Sequence, residues 1–171
     1  MKLKDLFYGT TNQLLNDKRF HIDEEFFNRR LKFCSLKKYK IIKIKLGDIS
    51  YENTPLKNVK PYQYLDGNKQ GYEQYCKYHQ SVLHINMSLE RYNKLINSIE
   101  TSGYNSRYII IVNDKKQVMD GQHRACVLLH KYGEDHEVSV LCLKLKKRSF
   151  IRKIQRKIFM LIKNREQLSK V

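Results

Sequence analysis

The chain has 171 residues, 41% of them apolar and 11% aromatic, enough to bury the core of one compact domain and too apolar for a wholly disordered chain. Lys and Arg number 34 against 17 Asp and Glu, a net charge of +17, which points toward polyanionic partners: nucleic acid, anionic lipid or phosphorylated metabolites. The excess is concentrated in residues 144–171, where eleven basic side chains face Glu166 alone.

The four cysteines, Cys34, Cys76, Cys126 and Cys142, form no CxxC pair, which speaks against a disulfide framework or a ribbon-type zinc site and for a reducing compartment. No signal-like apolar run opens the chain, and no stretch approaches the ~20 apolar residues of a membrane span. The expected setting is cytoplasmic, with the basic segment able to reach the inner face of the membrane.

Residues 1–38 read as a polar N-terminal extension in which Leu14, Leu15, Phe26, Phe27 and Leu31 suit one or two short helices. Residues 39–46 (YKIIKIKL) alternate Lys43 and Lys45 with Ile42, Ile44 and Leu46, the period of a strand with one buried face. Residues 47–60, containing Asn53, Thr54 and Pro55, read as a loop. Residues 61–78 form a Tyr-rich insert with Tyr62, Tyr64, Tyr72, Tyr75 and Tyr78; such rings stack on bases or sugars, or pack amphipathically as a turn and helix.

Ser88 is placed to cap a helix carrying Leu89, Tyr92, Leu95, Ile96 and Ile99 on one face, ended by Gly103. The run 108–112 suits a buried strand, Asn113 and Asp114 a turn, and residues 117–119 a returning strand. A helix through Arg124, Val127, Leu128 and Lys131, closed by Gly133, leads to a strand over about 137–143. Residues 150–163 then set Ile151, Ile154, Ile158, Leu161 and Ile162 on one side of a cationic amphipathic helix. Its alternatives are an anionic membrane surface, packing on its own domain, or nucleic acid phosphates.

The segment 119–124 (MDGQHR) falls between a strand and a helix. Gly121 permits a tight turn, and the open N–H groups of the following helix offer an anion site. Arg124 adds a forked cation for phosphate. Asp120 suits magnesium or the orientation of a hydroxyl, and His123 suits donation to a phosphate or proton transfer. The competing reading is a turn in which Asp120 caps the helix and His123 is exposed. A second constellation, Cys76 with His79 and Cys126 with His130, has zinc-ligand types, but a buried helix face accounts for Cys126.

Residues 109–133 (IIIVNDKKQVMDGQHRACVLLHKYG), preceded by LERYNKLINSIETSGY and followed by EVSVLCLKL, resemble the ParB/sulfiredoxin superfamily over about residues 40–145. The resemblance implies a small α+β fold, a mixed sheet with flanking helices, in which the strand-to-helix motif binds nucleotide phosphates. Sulfiredoxins place their reactive cysteine where this chain has Gln122. The partition proteins' GERRxRA box is matched at Gly121 and Arg124, with Cys126 in place of its last arginine, and no helix-turn-helix follows. The free-serine kinases' DGHHR motif is closest, matched at Asp120, Gly121, His123 and Arg124 and departing at Gln122. Those kinases also imply an acidic catalytic base after the first strand, where Glu52 stands in LGDISYEN, with Asp48 as substitute.

The expected organisation is therefore an extension (1–38), a ParB/sulfiredoxin-like domain (39–145) and a basic helical tail (146–171). The expected function is a phosphotransferase: Gly121, Gln122, His123 and Arg124 hold the nucleotide, ATP or ADP ahead of CTP, and Asp120 holds magnesium. Glu52, His123 and Asp120 are the catalytic candidates, and the acceptor is a hydroxyl of a small metabolite or saccharide. The alternative is a ParB-like module binding nucleotide or DNA without turnover, with a nuclease behind it because no second carboxylate cluster is evident for two-metal cleavage.

Overall fold

The computed structural model describes residues 11–23, 34–82 and 86–147. They form an α+β fold: a mixed four-stranded sheet with helices. In chain order the main elements are α1 (Thr11–Leu15), β1 (Cys34–Lys45), β2 (Ser50–Tyr51), β3 (Thr54–Pro55), α2 (Lys60–Leu65) and α3 (Lys69–Ser81). They continue with α4 (Leu89–Ser102), β4 (Ile110–Asn113), β5 (Val118–Asp120), α5 (Gln122–Tyr132) and β6 (Glu137–Lys147).

The sheet runs β1-β6-β4-β5. β1 pairs antiparallel with β6, β6 parallel with β4, and β4 antiparallel with β5. The apolar run at 109–112 is continuous because both faces of this strand are covered. Ile110 and Val112 join a core with Ala125, Cys126, Val127, Leu128, Leu129, Val138 and Val140 under the helices. Ile109 and Ile111 join Leu14, Tyr39, Leu141 and Leu143 on the opposite face. Leu14 of α1 is fully buried there, so part of the N-terminal segment seals the sheet rather than merely extending from it. Phe26, Phe27 and Leu31 lie outside the described residues.

β1 begins at Cys34, earlier than its alternation suggests, because Leu36 and Tyr39 pair with Leu145 and Leu143 across a register shift between Leu36 and Lys38. β6 correspondingly runs on to Lys147, so the first residues expected in the basic tail are sheet residues. The cationic helix expected over 150–163 lies outside the described residues. α4 forms as expected, with the Ser88 side chain accepting from the Arg91 N–H at 3.2 Å and Gly103 at its C-terminus.

Residues 47–60 are more ordered than the expected loop. Two 3-10 turns (Leu46–Asp48 and Leu56–Asn58) flank a β2–β3 hairpin. Leu46, Ile49, Leu56 and Val59 are all buried, which is what ties the segment down. The hairpin turns on Glu52 and Asn53 at φ 50° and 68°, the backbone of a two-residue primed turn without its usual glycine. Asn53 accepts from the Gln117 amide, and the Ser50 N–H donates to Lys116 O at 3.2 Å, docking the hairpin on the β4–β5 connection.

The Tyr-rich insert becomes α2 and α3. Pro61 sits in the first turn of α2, and the Asn68 side chain caps α3 by accepting from the Gly71 N–H at 3.0 Å. Two of its tyrosines, Tyr64 and Tyr72, pack with Tyr92 of α4, the three rings lying within 5.0–5.5 Å of one another, ring centre to ring centre. Among the described residues no helix is long and apolar enough to cross a membrane.

Candidate phosphate cleft

β5 delivers Asp120 to the sheet's end, and α5 starts two residues later. Gly121 makes the junction at φ +83°, and a Cβ there would meet Ile110 Cα at 3.2 Å and the Arg124 guanidinium at 3.1 Å. Only glycine takes this backbone without strain so close to a buried strand. The first helical bond is Ala125 N–H to Gly121 O at 2.9 Å. The N–H groups of Gln122, His123 and Arg124 have no protein partner among the described residues, the usual condition of a helix N-terminus.

Asp120 is a local organiser. Its Oδ1 accepts from the Gly121 N–H at 2.7 Å and its Oδ2 from Arg124 Nη2 at 3.3 Å. The competing sequence reading is thus half met: Asp120 does bond the turn, through Gly121 rather than α5 itself. His123 is not exposed. Its Nε2 is 2.9 Å from Tyr72 Oη, and the rings of Tyr72 and Tyr92 stand edge-on at 5.9 and 4.8 Å. Burial, reinforced by His79, Arg124 and Arg91, pushes the imidazole down to about 4, so His123 is neutral at neutral pH. It enters any chemistry as a neutral imidazole with Nε2 already engaged, not as a standing cation.

These residues line one wall of a cleft of about 400 Å³, a volume suited to a small-molecule ligand. Asp120, Gly121, Gln122, His123 and Arg124 all line it. Facing residues come from α4 and the segment before it, Asn86, Ser88 and Arg91, and from the aromatic elements, Tyr51, Tyr72, Tyr75 and His79. Arg91 Nη1 donates to Asn86 O at 2.6 Å. Two arginines and the starts of two helices therefore converge on a space whose lining contains one carboxylate, Asp120. Compared with models of known protein families, with curated proteins and with solved structures, the chain matches none.

Glu52 is not in the lining. It sits exposed at the hairpin tip, while its neighbour Tyr51 faces the cleft. Asp48 points elsewhere, paired with Lys116 Nζ at 2.7 Å. The zinc constellation is not assembled. Cys126 is buried in the core with its thiol pushed far up by burial, and His130 stands 3.7 Å from Asp66. Among the described residues no three His, Cys, Asp or Glu side chains gather closely enough to hold a metal by themselves. The four cysteines are free thiols.

Sequence reading missed Arg91, Asn86 and His79 as cleft residues. Ser88 is legible as a cap but not as a wall, and Arg91 follows it by one helical turn, spacing that any solvated arginine shares. His79 lies one helical turn beyond Tyr75 on α3, and the rings contact at 4.2 Å.

Proposed function

We propose that the cleft is the active site of a nucleotide-dependent phosphotransferase of ParB-like fold, acting on a hydroxyl. The observation that carries this is the meeting of Arg124, Arg91 and the unpartnered N–H groups of residues 122–124 in one cleft, an arrangement suited to phosphate. Asp120 is the proposed magnesium ligand. Its two oxygens take one hydrogen bond each, which leaves lone pairs for a cation, and magnesium needs only one or two carboxylates beside phosphate oxygens and water. When bound, the ion neutralises charge on the transferring phosphoryl group.

The chain's own residues supply the rest. Gly121 keeps the backbone open to the ligand, and Arg124 and Arg91 hold phosphate oxygens. Neutral His123, oriented by Tyr72, offers its remaining ring nitrogen to the ligand. Glu52, next in the chain to cleft-lining Tyr51, is the proposed base: it accepts the proton as the acceptor oxygen bonds to phosphorus and the bond to the leaving nucleotide oxygen breaks.

The test is phosphorus NMR of the full chain with ATP, ADP or CTP, magnesium and a pool of hydroxyl acceptors. Turnover is expected in the wild type and lost in both Glu52→Gln and Arg124→Ala. The exposed position of Glu52 outside the lining favours a second reading, a nucleotide- or DNA-binding module without turnover. Nucleotide signals that broaden without turnover, and sharpen again only in Arg124→Ala, establish that reading and sink the first.

The basic residues of 144–171 are proposed to contact an anionic membrane, ahead of nucleic acid. Replacing Arg152, Lys153, Arg156 and Lys157 with Glu should abolish sedimentation with phosphatidylserine vesicles. Unchanged sedimentation removes this proposal.

A further inference from the structure

The tyrosines around the cleft differ in how their hydroxyls are used. Tyr64 Oη donates to Asn93 Oδ1 at 2.8 Å, Tyr92 Oη to Pro61 O at 2.9 Å, and Tyr72 Oη is bonded to His123. These three are tied into the protein. Tyr72 and Tyr92 line the cleft, as do the half-buried Tyr51 and Tyr75, whose hydroxyls have no hydrogen-bond partner among the described residues. Neither hydroxyl is sealed from solvent, so both are open to pair with a ligand.

Their position is informative. Tyr51 directly precedes Glu52 in the hairpin, and burial first, then Tyr51 and more weakly Glu52, raise the Tyr75 phenol. Both tyrosines therefore line the cleft that the Glu52 hairpin borders through Tyr51. The same lining holds Arg124 and the open start of α5. Tyr75 is held by its packing on Tyr72 and His79, at 5.8 and 4.2 Å between ring centres, so it is presented as a fixed surface rather than a swinging side chain.

We propose that Tyr51 and Tyr75 form the acceptor seat, and that the acceptor is a hydroxyl-bearing ring, a pyranose or cyclitol. This rests on the phosphotransferase reading and names the substrate class it left open. Such a ring has C–H faces that pack on aromatic carbon and equatorial hydroxyls that pair with phenols. A short linear alcohol such as serine or glycerol covers neither ring, and a nucleobase stacks on them but brings no equatorial hydroxyls to pair with the phenols.

The experiment is saturation-transfer difference NMR on the full chain with methyl β-glucopyranoside and myo-inositol, beside glycerol, L-serine and uridine. Ring-proton saturation is expected for the first two. It should fall severalfold in Tyr75→Phe, which keeps the ring and removes the hydroxyl, and be lost in the double variant Tyr51→Ala, Tyr75→Ala. ATP line-broadening in each variant serves as the check that the cleft persists. If that check fails in the double variant, Tyr75→Phe alone decides, and unchanged saturation in it overturns the seat.

Equal saturation of serine or glycerol, or uridine displacing the glucoside through its base protons, also overturns it. The two readings fail separately. Phosphoryl transfer from ATP to serine with no ring binding removes the seat and keeps the kinase, whereas Tyr-dependent glucoside binding without turnover under any nucleotide keeps the seat and removes the kinase.

Discussion

Acidification should destabilise this protein through His123 before it touches most carboxylates. The imidazole is held at about 4 in the folded chain against 6.5 ordinarily, by burial first and then by His79, Arg124 and Arg91. Above the ordinary value neither state binds the proton. As pH falls below it the unfolded chain protonates while the native chain does not, so stability is lost between the two values and levels off below the lower one. From about pH 7.5 to about pH 4.5 the loss attributable to this one side chain is about 2.5 kcal/mol. Burial also lowers His79, which adds in the same direction. The lowered carboxylates of Asp17, Glu90 and Asp135 act from their ordinary values near 3.8 to 4.5 downward, mostly below this window. Urea denaturation at several pH values, for wild type and His123→Gln, reads the difference: the variant's profile should be flatter by about 2.5 kcal/mol across the interval. Parallel profiles would refute the burial argument for His123.

Gly121→Ala should cost about 2 to 3 kcal/mol, from the left-handed backbone and from a Cβ pressed on Ile110, and drop the melting temperature by several degrees; an unchanged melting curve would contradict the described turn. Tyr72→Phe leaves His123 Nε2 without its 2.9 Å partner and should destabilise by about 1 to 2 kcal/mol, with the imidazole resonances in a proton NMR titration moving relative to wild type. Leu14→Ala removes a fully buried side chain from the far face of the sheet and should cost about 2 to 4 kcal/mol in urea unfolding; a loss below about 0.5 kcal/mol would mean that α1 is not part of the core.

Legibility in the sequence tracked how local the determinants are. α4 is announced by Ser88, the spacing of Tyr92, Leu95, Ile96 and Ile99, and Gly103, all within one helix and its caps. The α5 motif was legible for the same reason, since the glycine turn and the helix it opens are contiguous. The β2–β3 hairpin was not, because its turn uses Glu52 and Asn53 at positive φ where a glycine would have signalled it, and its strands are too short to alternate. The start of β1 at Cys34 was hidden by the bulge near Leu36, which breaks the period of two.

The site divides along the same line. Asp120, Gly121, Gln122, His123 and Arg124 are contiguous in the motif, and all five line the cleft. Arg91 and His79 reach the cleft from separate helices, and no spacing links them to the motif. Glu52 was placed by resemblance, and the hairpin brings its neighbour, not Glu52 itself, into the lining.

The sheet order β1-β6-β4-β5 also sets the timetable of folding. β6 emerges from the ribosome after the other described strands, yet it lies between β1 and β4 and is the neighbour to which each is bonded. Until residues 137–147 are available, β1 has no partner in the sheet and the β4–β5 hairpin lacks its inner neighbour. Local helices can form early, but closing β1 onto β6 spans roughly a hundred residues, the kind of distant pairing that slows folding. Nascent chains therefore pass through a stage with unpaired strand edges on β1 and β4, both carrying consecutive isoleucines, and it is there that a chaperone would be expected to hold them.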